Sequence, residues 1–282
     1  MTNPEQLASA SAATLRAAIR AGQWTGPTAG LARGYVQANV VIVPVDDAVD
    51  FAEFCRLNQR ACPLLEQTQR GDPEPSQCAP AADLRTDVPR YRVFRNGAQQ
   101  PDEPTDVRDL WRDDLVGFLL GCSFTFENAL VNSGISVRHL DQGRNVSMYR
   151  TKHACKPVGR FAGNLVVSMR PFPANQVDQV QAITSLYPTQ HGAPIHVGDP
   201  AELGIADLAQ PDFGDAVTIR RDDVPVFWAC GVTPQLALLN AGCELAITHS
   251  PGCMFVTDWK DVDQQLSCPA QLRIDPQSAV EP

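Results

Sequence analysis

No apolar run in this 282-residue chain reaches the roughly 20 residues that a membrane-spanning helix needs; stretches such as VVIVP and LVGFLLG stop well short. No membrane partner is expected. The first thirty residues lack the apolar centre of a secretory signal and read instead as an Ala-rich amphipathic helix carrying Glu5, Arg16 and Arg20, so a cytoplasmic location is expected. Positive charge is scarce too. With 23 Lys and Arg against 32 Asp and Glu, the formal net charge of -9 repels a phosphate backbone, which excludes nucleic acid as the expected partner. The nine cysteines include no C-x-x-C pair and no zinc-ribbon spacing, and the histidines include no H-x-x-x-H or H-x-H. Reduced thiols fit best; no cofactor is expected, and a divalent metal has no support.

What is present is enough apolar sequence, 44%, to bury a large core. VQANVVIVP (36–44) reads as a buried strand, and 46–59 carries apolar residues at helical spacing behind Asp46 or Asp47. The Pro- and Gln-rich stretch from Pro63 to Pro89 reads as a surface excursion, and RYRVFRNG as a strand turning at Asn96-Gly97. Further strands are expected at 145–151, 164–170, 216–220, 245–249 and 253–257, with a helix over 174–187. Interleaved strands and helices point to an α/β fold built on a mixed sheet. One compact two-lobed domain is expected, with residues 1–105 packed on a core of 106–282. An acidic α/β protein of this size is often a symmetric homo-oligomer, so self-association is a possible partner interaction.

Two segments resemble each other. CSFTFENALVNSG (122–134) and CGVTPQLALLNAG (230–242) align without gaps, 108 positions apart, with six identities in thirteen. About one would arise by chance at usual residue frequencies. An internal duplication is the better explanation, with repeat units near 114–134 and 222–242. Each copy reads as a buried strand, a polar turn and a short helix that Thr125 or Thr233 caps and Gly134 or Gly242 ends. The positive helix ends would then sit at the carboxyl ends of strands, where ligands bind in open α/β sheets.

Three chemistries follow. The turn amides, with Ser123, Thr125, Gly231 and Thr233, could bind a small carboxylate or an oxyanion, although a threonine that merely caps its helix explains the same pattern. Arg150 lies in a cationic run; Arg170, at the rim of an apolar strand, suits a bidentate carboxylate clamp or a structural ion pair. The rigid loop HGAPIHVGDP supplies His191 and His196 as general bases, and His249 lies at a strand end near the second repeat. Cys230, just ahead of a helix start, should have a depressed pKa, but the shared position of Cys122 favours packing for both.

At these residues the sequence resembles the bacterial "putative hydro-lyase" family, whose domain also occurs in D-glutamate cyclases. The resemblance runs through QANVVIVP, FCRLNQRACPLLE, GCSFTFENAL, MYRT, GRFAGNLVVSMRP, HGAPIHVGDP, DVPVFWACGVTPQ and ITHSPGCMFVTD, in that order. It implies an α/β fold with internal duplication and, for the cyclase members, conversion of D-glutamate to 5-oxo-D-proline and water. Arg150, Arg170, His191, His196, Thr233 and His249 fall inside the matching strings, whereas Lys152 and His153 do not. The rival expectations are a dehydratase for another small carboxylic acid and a non-catalytic carboxylate-binding regulator.

Overall fold

The computed structural model describes residues 3–265, so the end of the expected 106–282 core lies outside the described residues. The chain opens with α1 (Pro4–Ala8) and α2 (Ala12–Arg20), the latter capped by Ser11, whose hydroxyl accepts from Thr14 N at 3.1 Å. It continues through β1 (Tyr35–Pro44), α3 (Val45–Leu57), β2 (Leu64–Gln67), β3 (Tyr91–Arg95), β4 (Ala98–Gln99), β5 (Leu115–Gly121) and α4 (Phe124–Asn132). Next come α5 (Arg138–Asp141), β6 (Ser147–Ala154), β7 (Asn164–Pro173), α6 (Val177–Ser185) and β8 (His196–Val197). Last are β9 (Asp223–Ala229), α7 (Thr233–Ala241), β10 (Leu245–His249) and β11 (Phe255–Lys260).

These strands form two sheets. The first has the order β2-β5-β1-β10-β3-β4, with β11 also paired to β1; the second runs β6-β7-β9-β8. Every pairing is antiparallel, which corrects the expected mixed sheet. A parallel neighbour needs the helix to return the chain beside the strand it left. Here α3 leads β1 to β2, which pairs with β5, and α6 leads β7 to β8, which pairs with β9. The strands after α4 and α7 change sheets altogether: β6 joins the second and β10 the first. The orders β2-β5-β1-β10 and β8-β9-β7-β6 therefore correspond. So do the registers, with Ala38 opposite Gly121 and Val167 opposite Ala229.

Burial explains the apolar runs. Nine of the ten β1 residues are buried, as expected for a central strand covered on both faces. Phe51 of α3 meets Phe118 of β5 edge to face at 4.9 Å within the largest core, which Leu238 of α7 also enters. The Pro63–Pro89 stretch is not a surface excursion: Cys78, Ala79, Leu84 and Val88 are fully buried against the opposite side of the first sheet. Residues 216–220 form no strand. Their backbone is held by side chains instead, with Thr218 O accepting from Arg138 Nη1 at 2.7 Å and Thr218 N donating to Gln142 at 3.3 Å. The Asn96-Gly97 turn forms as expected, both residues having positive φ.

Candidate active site

β5 and β9 deliver Cys122 and Cys230 into two turns with the same wiring. Cys122 N donates to Gln37 O at 3.2 Å and Cys230 N to Val166 O at 3.0 Å. In return, Gln37 N donates to Thr125 Oγ1 at 3.1 Å and Val166 N to Thr233 Oγ1 at 3.0 Å. The threonines thus do not cap their helices, contrary to the sequence reading; each clips a helix start to a neighbouring strand. Thr125→Ala and Thr233→Ala should each cost about 1–3 kcal/mol, because a buried strand N–H loses its acceptor. Urea denaturation checks this, and a loss below about 0.5 kcal/mol would contradict it.

Burial pushes the Cys122 and Cys230 thiols up to about 12 and about 11, against a smaller lowering by the Phe124 and Val232 backbone amides, so the depressed pKa expected of Cys230 is not found. The Ser123 and Gly231 amides have no backbone or side-chain acceptor among the described residues.

Both turns wall one small cavity of about 20 Å³, room for roughly one water molecule. Ser123, Cys230, Gly231, His191 and His249 line it, together with Asn39 of β1. Asn39 Nδ2 donates to Gly121 O at 2.9 Å, and the amide lies so close to Gly231 that a Cβ there would stand 2.1 Å from it. Gly231 is therefore glycine for close approach. Asn39 was missed in the sequence; the available signal was a polar amide inside an otherwise apolar strand.

The two histidines are fixed in opposite tautomers. His191 Nδ1 lies 2.7 Å from the Arg60 carbonyl, which can only accept, so Nδ1 carries the proton and Nε2 keeps its lone pair. His249 Nδ1 accepts from Val40 N at 3.1 Å, closer than the Val40 carbonyl at 3.3 Å, so its proton sits on Nε2. Among the described residues neither Nε2 has a hydrogen-bond partner. Burial lowers both to about 4, so both rings are neutral at neutral pH. The cavity is thereby offered one imidazole acceptor and one imidazole donor.

Arg170 is no free clamp. It is 1% exposed on β7 and donates through Nε to Glu127 Oε1 at 2.8 Å, through Nη2 to the same oxygen and to Ser123 Oγ at 2.9 Å. It acts on the cavity through Ser123. Burial alone would raise the Glu127 carboxyl, but the charges of His139 and Arg170 outweigh it and hold the group below the usual range. His139 Nε2 comes within 3.2 Å of Glu127 Oε1 without hydrogen-bonding alignment. Arg150 and His196 lie outside the cavity. Arg150 is exposed on β6 against Asp212 and the Phe213 ring, because strand alternation turns Tyr149 and Thr151 inward instead. His196 on β8 bonds the Asp199 carbonyl at 2.7 Å. Among the described residues, no group of three His, Cys, Asp or Glu is placed to hold a metal ion, and no helix is long and apolar enough to cross a membrane.

A small buried cavity lined by two neutral imidazoles and two unpartnered amides is the centre of the candidate site. The comparisons give the class. The family model described as D-glutamate cyclase matches residues 116–258, spanning both turns. A protein of Rubrobacter xylanophilus named "Putative hydro-lyase" is 56% identical over 90% of this chain and 98% of its own. Similar proteins occur in Stutzerimonas stutzeri, at 56% identity over 89% of this chain, and in Bacillus subtilis, at 54% over 88%. The chain belongs to this hydro-lyase family, a family of carbon–oxygen lyases carrying the D-glutamate cyclase domain. A nitrogen repressor-like protein of Methanococcus jannaschii aligns over 87% of this chain at 8% identity, with a TM-score of 0.34, which carries nothing further.

Proposed function

We propose that the protein cyclises D-glutamate to 5-oxo-D-proline with loss of water, the two turns cooperating on one carboxyl group. The observation that carries this reading is the pair of oppositely protonated histidines on one cavity with the Ser123 and Gly231 amides. In this reaction the ammonium nitrogen gives up two protons overall, a C–N bond forms at the side-chain carboxyl carbon, and one carboxyl oxygen departs with both protons as water. His191 Nε2 takes the two protons from the nitrogen in turn, one before attack and one after it, and passes each to the departing oxygen, so that the ring ends neutral as it began. The Ser123 and Gly231 amides and His249 Nε2–H stabilise the oxygen that becomes negative in the tetrahedral intermediate. Arg170 orients Ser123 and adds positive potential behind that turn.

We further read the two turn units as an internal duplication. Support comes from the repeated hydrogen bonds, the matching strand orders and the six sequence identities. In the duplicated half, Gly231 stands where the first has Ser123, so a hydroxyl serves one side only. The test is to incubate the purified protein with D- and L-glutamate and follow 5-oxoproline by mass spectrometry. Formation from the D-enantiomer is expected; no product from either would refute the reading.

A further inference from the structure

The inner cavity, about 20 Å³, is too small for a whole amino acid, but a cleft of about 620 Å³ adjoins it. Asn145 and Pro251 line both spaces and form the sill between them, Asn145 Nδ2 reaching the Pro251 carbonyl at 3.4 Å. The cleft wall carries four charges. Glu103 is paired with Arg92 at 2.9 Å, and Asp212 faces Arg150 at 3.7 Å. Arg90 has no carboxylate partner among the described residues; only its Nε is used, on the Thr25 carbonyl at 2.9 Å. Beside it, Ser250 is 3% exposed and its Oγ has no hydrogen-bond partner among the described residues. A buried hydroxyl in that state marks a place where a ligand or water completes the bonding.

The backbone fixes this pair against the inner cavity. His249 stands opposite Tyr91 in the β10–β3 ladder, and Ser250 N donates to Arg90 O at 2.8 Å one step further on. The residues of one ladder thus serve both spaces, His249 lining the cavity and its neighbour Ser250, with Arg90, lining the cleft. A short ligand that crosses the Asn145–Pro251 sill with its reacting end inside would place its other end in the cleft that Arg90 and Ser250 line.

We propose that this cleft is an anion subsite in which Arg90 and the Ser250 hydroxyl hold the second carboxylate of the substrate. The proposal rests on the reading of the inner cavity as the carboxyl-reacting site. Its test is thermal unfolding with millimolar glutarate, a dicarboxylate, or butyrate, a monocarboxylate, in the wild-type protein and in Arg90→Gln and Arg90→Lys. Glutarate should raise Tm and butyrate should not. Arg90→Gln should abolish the shift, Arg90→Lys should keep part of it, and Arg90→Gln should raise KM for D-glutamate at least tenfold. Equal shifts with both acids, no shift with either, or a glutarate shift unchanged in Arg90→Gln would overturn the subsite. The two ideas fail separately. Glutarate binding lost in Arg90→Gln without any 5-oxoproline formation sinks the cyclase reading alone, whereas turnover with a KM indifferent to Arg90 sinks the subsite alone.

Discussion

His191→Asn should lower kcat for 5-oxoproline formation by about 10²–10⁴-fold, the usual worth of a general base. Asparagine is the replacement of choice because His191 sits at φ 78, a left-handed conformation that asparagine tolerates and most residues do not. The amide keeps the backbone while removing the basic nitrogen. The wild-type pH profile gives an independent check. Because burial holds His191 near 4 rather than 6.5, the ring stays neutral through the mildly acidic range and is protonated only as the pH falls through about 4. The acid limb of kcat/KM should therefore lie near pH 4. A limb near 6.5, or a variant within threefold of wild type, would remove His191 from the role assigned to it.

The second large effect is on stability. Glu127→Ala should destabilise the fold by about 3–5 kcal/mol, because it strands the Arg170 guanidinium in the interior without its counter-charge. Phe126 and Trp228 each lie 5.3 Å from that guanidinium, so little water can replace the carboxylate. Removing both charges tells the pair from the packing: Arg170→Met with Glu127→Leu should recover most of the loss, since two apolar chains leave no buried ion behind. Urea titration of both variants measures the difference. Equal destabilisation of single and double variants would mean that shape, and not charge, holds this region together.

Local features were legible in the sequence and long-range ones were not. The central strand at 36–44, the helix at 46–59, the Asn96-Gly97 turn and the two Cys-turn-helix units all follow from periodicity and turn chemistry within a few residues. Sheet membership does not, because nothing local tells the residues after α4 or α7 which sheet they will join: β10 finds its partners in β1 and β3, far earlier in the chain, and β6 finds its partner in β7, which the chain has yet to form. The same limit explains the threonines. Thr233-Pro234 has the pattern of a helix cap, but the hydroxyl goes to Val166, 67 positions earlier. Arg170 could be read from sequence as a clamp or as an ion pair, and only the burial of Glu127 opposite it decides for the pair. Asn39 carries no spacing signal at all, since it enters the cavity through its strand neighbours and the glycine that admits it.

The exchange of β6 and β10 between the sheets governs how the molecule is assembled on the ribosome. β1 is made early, yet one flank of it waits for β10 and β11, roughly two hundred residues later in synthesis. Until then a long apolar strand edge is open to any passing chain, which is the situation in which nascent proteins misassociate. β7 finds β6 already made beside it, so the second sheet can form first. His249, at the end of β10, then arrives among the last pieces and brings its imidazole to Val40 in the same movement that shuts the open edge. Nascent chains stalled before residue 245 should therefore lack the cavity wall that His249, Pro251, Gly252 and Met254 supply.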